Sequence, residues 1–347
     1  MIVCPGTAKC GELEFANGIK ISRSVRTLSI STSRQQIADF SPDLTLCQFA
    51  ISALSATVFS ALRLCKAVRQ DGGICALAFH EPSREHALLG PVGRMVHRRA
   101  GMTSDVQIVF TPSEAESLKR EGVPGRIVVI PHGTPAIERP GEESVIRVRQ
   151  KFNLDDIDTV LSLGFIHRSK GIQAVIDAAP TVTRMAVKPV QFLIAGDPIS
   201  RHSIFRVFSC LDWLYYRKIR RRAGHIASEA SISFTGYVPA EDLPALLASV
   251  TLLAMPYRSA TQSGIANYAL AASVPVVASA LPGLQQAFGE AAHYVSSTTP
   301  PHLGTAIADV LNSNAMRLEM IHLMDQRNGG ESMVTVAEEI LRAAGMS

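Results

Sequence analysis

From about residue 40 the chain alternates short apolar runs with longer stretches whose apolar positions recur every three or four residues. The runs at 44–49, 74–79, 106–110 and 127–130 read as buried strands separated by helical segments. A second series starts near Thr159, with strands expected at 160–163, 191–195, 232–234, 252–255 and 276–278. Such alternation is the pattern of a parallel sheet covered by helices on both faces. Between the series, the stretch 131–149 carries Gly133, Pro135, Pro140 and Gly141 among mixed charges, a composition suited to a linker. The expected domains are 1–135, a linker over 136–154, a second domain over 155–325, and a terminal helix within 326–347. Two doubly wound α/β domains facing each other across a cleft would bring the strand carboxyl ends, and any ligand, into that cleft.

Several boundaries have a local cause. Ser113 stands three residues before Glu116, a capping-box spacing, and Gly122 can end the helix it starts. In 238–250, Leu243, Leu246, Leu247 and Val250 share one helical face, with Pro239 and Pro244 kept to the start. The stretch 44–62 is free of charge, yet Gln48, Ser52, Ser55 and Ser60 recur at roughly helical spacing. That polar stripe predicts a buried amphipathic helix in preference to a membrane span.

The length of 347 residues exceeds what one hydrophobic core usually serves, and 47% apolar with 18% charged residues marks a globular chain. A net charge of +4 is too mild to imply nucleic acid. The six cysteines form no CxxC pair, which fits free thiols in a reducing cytoplasm better than a zinc site or a disulfide framework. The amino end has no basic stretch followed by an apolar one, so no signal peptide is expected.

Five stretches carry candidate chemistry. In "LSLGFIHRSKG" a strand is expected to end at Gly164, leaving His167, Arg168 and Lys170 in the following loop. Arg and Lys there suit a phosphate, although the spacing is neither a Walker loop nor a dinucleotide-binding glycine motif; a solvated basic loop is the plain alternative. In "RSATQSG" the amides at Ser263, Gly264 and Ile265 open a helix, and an anion can sit on such a start. In "LAFHEP" His80 ends a strand of the first domain, with the wrong spacing for a zinc site. Asp156 and Asp158 form an Asp-x-Asp at the wrong end of the second sheet and read as a turn. The basic runs from Arg217 to Arg222 and from Arg94 to Arg99 suit nucleic acid or an anionic membrane surface, with a solvated helix face the plain alternative.

Together these stretches resemble a GT-B glycosyltransferase of family 4, the glycosyl transferases group 1. The resemblance runs from about Pro42 to the carboxyl end, through "SPDLTLCQF", "LAFHEP", "FTPSEAESLKREG", "VVIPHGT", "LSLGFIHRSKGIQAVIDAA", "FLIAGDP", "ISFTGYVPAEDLPALLASVTLLAMPY" and "VPVVASALPGLQQAFGEAAHYV". It implies two Rossmann-like domains and transfer of a sugar from a nucleotide-sugar, with retention at the anomeric carbon and no metal. By position, Lys170 matches the family's loop lysine, and Arg168 or His167 stands in for its companion arginine. Ser263 and Gly264 match the backbone that contacts the diphosphate, His80 the amino-domain histidine near the donor sugar, and Gly133 the hinge-proximal glycine. The implied donor site adds Gly164, Gly196, Tyr257, Ile265, Asn267 and Tyr268; His80 and Lys170 are the catalytic pair.

Three departures qualify the resemblance. The family's Glu-x7-Glu acids would fall at 260 and 268, where this chain has Ala260 and Tyr268. Asn267 or Tyr268 would then have to take over the ribose contact. The usual Asp before a late strand corresponds to Thr251, and the stretch before Ser41 shows no strand, glycine loop and helix, as in a reduced first domain or an internal start. The expected protein is a cytoplasmic transferase, at the inner face of the membrane, that takes a UDP- or GDP-sugar and a glycan or lipid-linked acceptor and does not bind nucleic acid. An inactive GT-B scaffold is the alternative, and a sugar-nucleotide epimerase fits less well.

Overall fold

Parallel pairing organises most of the chain. The computed structural model describes residues 11–14, 20–23, 34–35, 37–39, 41–54, 57–80, 82–135, 137, 139–154, 157–198, 206–259, 263–328 and 333–346. They divide into two units: residues 1–131 with 336–347, and residues 132–335.

In the first unit, β1 (Gly11–Glu14) and β2 (Lys20–Arg23) form an antiparallel pair. A four-stranded parallel sheet follows in the order β3-β4-β5-β6, from β3 (Leu44–Phe49), β4 (Ile74–Phe79), β5 (Val106–Val109) and β6 (Arg126–Val129). β4 reads ICALAF and is buried from Cys75 to Phe79, because helices cover both faces of a parallel sheet. The stretch 44–62 is therefore not one amphipathic helix. Residues 44–49 pair one-for-one with 74–79, and helix begins only afterwards, at Ile51–Leu54 and Val58–Gln70. The ladder to β4 and the complete burial of Phe49 outweigh the polar spacing. No helix among the described residues is long and apolar enough to cross a membrane.

The helix Pro112–Arg120 is capped by Thr111, whose Oγ1 accepts the Glu114 N–H at 3.3 Å, and not by Ser113. Pro112 has no N–H to satisfy and fixes the first helical position, so the cap falls one residue before it. Gly122, at φ +69°, closes this helix as expected.

The helix Pro82–Thr103 is broken at Gly90 (φ 52°, ψ −129°) before Pro91. A buried polar chain crosses the break: His97 Nε2 lies 2.9 Å from Glu85, and His97 Nδ1 lies 2.5 Å from His86 Nε2. Desolvation, then the neighbouring His97, hold the His86 imidazole below the ordinary value of 6.5. The folded state thus refuses a proton that the unfolded chain accepts. His86 contributes stability above about pH 6.5 that is lost as pH falls through its depressed folded value. Thermal unfolding followed from about pH 7.5 to pH 5 is expected to show this slope, flattened in His86→Gln; equal slopes in both proteins would refute it.

The second unit holds one six-stranded parallel sheet, ordered β12-β11-β10-β7-β8-β9. Its strands are β7 (Asp158–Leu163), β8 (Val190–Ala195), β9 (Ser231–Gly236), β10 (Leu252–Met255), β11 (Val276–Ser279) and β12 (His293–Val295). The three-residue β12 gives no period in the sequence and was not expected.

Two stretches differ from the expected organisation. Within 136–154 lies the helix Glu142–Phe152, started at Gly141 and ended by left-handed Asn153. Its Val148 is fully buried in the second unit's core with Leu246 and Leu270, so burial makes part of the expected linker an integral element. Within 326–347 the helix Met333–Ala343 sends Val336, Ile340 and Ala343 onto Ala76, Ala78 and Val106. The Arg126 guanidinium donates to the Ala343 carbonyl at 2.8 Å, so the chain end completes the first unit.

Candidate functional site

In the second unit the first and fourth strands in chain order, β7 and β10, are neighbours, and the chain leaves them in opposite directions along the sheet. At such a switch point the loops after the two strands diverge and leave a crevice at their carboxyl ends. Both anion-friendly stretches of the sequence fall there.

The loop after β7 carries Gly164, His167, Arg168 and Lys170. Residues 168–170 form a short 3₁₀ turn, and His167 caps it by accepting the Ser169 N–H at Nδ1, 3.2 Å away. The opposite ring nitrogen, Nε2, lies 3.5 Å from Asp212, a carboxylate buried on the helix Arg206–His225. His167 is thereby committed to shaping the turn, while the exposed Arg168 and half-buried Lys170 carry the charge. The Lys170 ammonium lies 4.0 Å from the centroid of the buried Tyr257 ring, whose face attracts a cation and restricts where it can sit.

After β10 the chain runs through Tyr257 and Arg258 to Ser263, which caps the helix Gly264–Ala271 and accepts the Ala266 N–H at 3.4 Å. Helical geometry leaves the first-turn amides of Gly264 and Ile265 without intrahelical acceptors, at the positive end of the helix dipole. Asn267 and Tyr268 are half-buried, with Tyr268 against the second unit's core. Position 260 lies outside the described residues.

The two loops are in contact. The Arg258 N–H donates to the Ser169 carbonyl at 2.8 Å. A Cβ on Gly164 would stand 3.3 Å from Ile265 Cγ1, and one on Gly171 would stand 1.8 Å from the Pro256 carbonyl oxygen. Gly196, after β8, is equally tight against the Gly164 carbonyl. The structure thus brings Gly164, Arg168, Lys170, Gly196, Tyr257, Ser263, Gly264 and Ile265 to one edge of one sheet. Its fixed charge is positive, from side chains and backbone together, and it suits a phosphate-bearing ligand.

His80 belongs to the first unit, at the carboxyl end of β4. Its Nε2 lies 2.6 Å from the Gln48 side-chain oxygen, and its ring lies 5.0 Å from that of Phe110. Gln48 of β3 and Phe110, just after β5, therefore flank it. Gly133 is buried at the start of the second unit.

Residues 157–313 match the family Glycosyl transferases group 1. Over these residues the chain is similar to the group 1 glycosyl transferases. It is 26% identical over 234 residues to a GDP-mannose-dependent α-(1-6)-phosphatidylinositol monomannoside mannosyltransferase of Mycolicibacterium smegmatis, covering 64% of this chain and 56% of that protein. It is also 26% identical over 250 residues to a D-inositol 3-phosphate glycosyltransferase of Corynebacterium urealyticum, covering 69% and 56%. The chain spans about half the length of these relatives. In fold it is similar to HepE of Anabaena, solved with UDP and glucose (TM-score 0.70, 15% identity, 91% of this chain and 80% of that one). Sucrose-phosphate synthase of Thermosynechococcus elongatus is similar too (TM-score 0.72, 18% identity, 97% and 85%). The architecture is that of the GT-B glycosyltransferases, with two Rossmann-like α/β units.

At the opposite end of the second unit's sheet, Thr251 has a structural role. Its hydroxyl donates to Asp158 and accepts the Thr159 N–H, both at 3.1 Å, joining the starts of β7 and β10. Thr251→Val is expected to cost about 1–2 kcal/mol in chemical denaturation for these two bonds, with nucleotide affinity unchanged. A change in affinity instead would place Thr251 in the site. Asp158 is occupied here, at the amino ends of the strands, and Asp156 lies outside the described residues. No cluster of three metal-ligating side chains occurs among the described residues. Asp212 was missed in the sequence because nothing local in "LDW" signals a buried acid; only the packing of its helix brings it to His167.

Proposed function

We propose that the protein is a retaining glycosyltransferase that moves a sugar from a UDP- or GDP-sugar to a glycan or lipid-linked acceptor, in polysaccharide or glycoconjugate synthesis. The observation that carries this reading is the meeting of the Lys170 turn and the Ser263–Gly264 helix start at the switch point of a unit similar to the group 1 glycosyl transferases. The relatives' GDP-mannose donor and phosphatidylinositol-based acceptor support the substrate classes.

As the bond between the anomeric carbon and the diphosphate oxygen breaks, negative charge grows on the leaving diphosphate. Lys170 and the amides of Gly264 and Ile265 are held in place beforehand, so they stabilise that charge more in the transition state than in the ground state. The donors already present at this edge can take the role a divalent cation plays elsewhere. Turnover is therefore expected to survive EDTA. In this reading His80 acts near the donor sugar, and Asn267 or Tyr268 serves the ribose in place of the family's second acid. In this reading the protein works in the cytoplasm at the inner face of an anionic membrane, a contact supported by the basic run ending at Arg99. Calorimetry against a panel of UDP- and GDP-sugars tests the proposal directly. Saturable binding of at least one is expected, and binding of none would end it.

A further inference from the structure

Basic side chains that are scattered in the sequence share one face of the first unit. The helices Val58–Gln70 and Pro82–Thr103 pack together. Along the first, Phe59, Arg63, Lys66 and Gln70 point outward at i, i+4, i+7 and i+11. Along the second, after the break at Gly90, Val92, Met95 and Met102 are exposed, with Arg94, Arg98 and Arg99 exposed beside them. Two open grooves of about 780 and 650 Å³ lie on these helices, and Arg99 and Met102 line both.

The charge on this face is one-sided. Arg69 is paired with Asp105 and Arg94 with Glu121. Among the described residues Arg63, Lys66, Arg98 and Arg99 pair with no carboxylate. The apolar groups between them are large, with Phe59 41% and Met102 61% exposed. Unpaired cations alternating with exposed apolar side chains match an interface where anionic headgroups lie above acyl chains. Nucleic acid would use the same cations but has no use for exposed Val92, Met95 and Met102.

The other basic run is differently employed. On the helix Arg206–His225, Arg217 stacks on Trp213, Arg220 lies against Tyr216 and Phe234, and Arg222 is bound to Asp177 at 2.6 Å. Arg222 is thus neutralised by a carboxylate, while the ring contacts of Arg217 and Arg220 fix where those cations sit without removing their charge.

We infer that the face formed by helices Val58–Gln70 and Pro82–Thr103 docks on an anionic lipid bilayer, its arginines and lysine on the headgroups and its Phe59, Met95 and Met102 side chains among the upper acyl carbons. This rests on the membrane-associated part of the proposed function and names the surface responsible. The probe is vesicle flotation of the full chain, with phosphatidylcholine alone or mixed with about 30% phosphatidylglycerol. Binding is expected only to the anionic vesicles and to weaken with salt. Each lost cation near such a surface is worth ~5-fold, so combined Arg63→Gln, Arg98→Gln and Arg99→Gln is expected to weaken binding by ~100-fold. Met95→Ser with Met102→Ser is expected to weaken it roughly tenfold, with the salt slope retained. Arg217→Gln with Arg221→Gln is expected to change it little. Any of four results would overturn the inference: no binding, equal binding to neutral vesicles, a loss that follows Arg217 and Arg221, or a preference for single-stranded RNA. Nucleotide-sugar calorimetry on the same variants separates this from the transferase proposal, because unchanged donor affinity keeps the second unit's site intact whatever the vesicles show.

Discussion

Lys170→Ala is expected to lower turnover about 100- to 1,000-fold, the usual consequence of removing one preorganised donor from a developing anion. The fold is expected to survive, because Lys170 is half-buried and its contact is to the face of Tyr257, which stays packed without it. Donor affinity is expected to fall much less than turnover, since the ammonium acts mainly on charge that appears as the bond breaks. Lys170→Arg is expected to restore part of the rate: the charge returns, but the broad guanidinium does not reproduce a point charge held over an aromatic ring. Steady-state rates set against calorimetric affinities for the same donor check this. A Lys170→Ala turnover within threefold of the parent would remove Lys170 from the chemistry.

Gly171→Ala is expected to be the most destabilising single methyl addition in the site. Gly171 is left-handed, at φ +66°, and its Cβ would fall 1.8 Å from the Pro256 carbonyl oxygen and 2.8 Å from the carbonyl carbon. Backbone cannot swing aside as the tip of a side chain can. The turn bearing Lys170 must therefore move off the loop after β10, breaking the 2.8 Å bond from Arg258 to Ser169. Left-handed strain together with this overpacking is expected to cost at least ~3 kcal/mol. In a unit of this size that is roughly 6–12 °C in melting temperature. The paired readout is nucleotide affinity, expected to drop as the two loops separate. A stability loss without loss of affinity would mean that the contact holds the fold but not the site.

These two residues show which parts of the site could be read from the sequence. Lys170, Ser263 and Gly264 were legible because their chemistry is local: a cation after a strand and a cap at a helix start are fixed by neighbours in the chain. His167 was legible as a residue but not in its role, since its partner Asp212 lies on a distant helix. The cation–π seat under Lys170 likewise needs Tyr257, brought across from another strand. Thr251 stood out in the sequence only as a missing acid; the pairing of β7 with β10 gives it a structural task.

The same division holds for the fold. Strands such as β4 and β10 declared themselves because burial on both faces demands continuous apolar runs, and that pattern is enough to fix a parallel α/β class. The charge-free stretch 44–62 misled because a polar residue every three or four positions looks helical until β4 is available to pair with its first half. The final helix was visible, but its attachment to the first unit was not, because three apolar positions do not state which sheet they cover. The sequence by itself determined the alternation of strands and helices, and the cation and helix start that suit a phosphate. Only the tertiary structure decided the strand order, and with it the switch point where the two loops meet, because the neighbour of a strand is set by which apolar faces fit and not by adjacency in the chain.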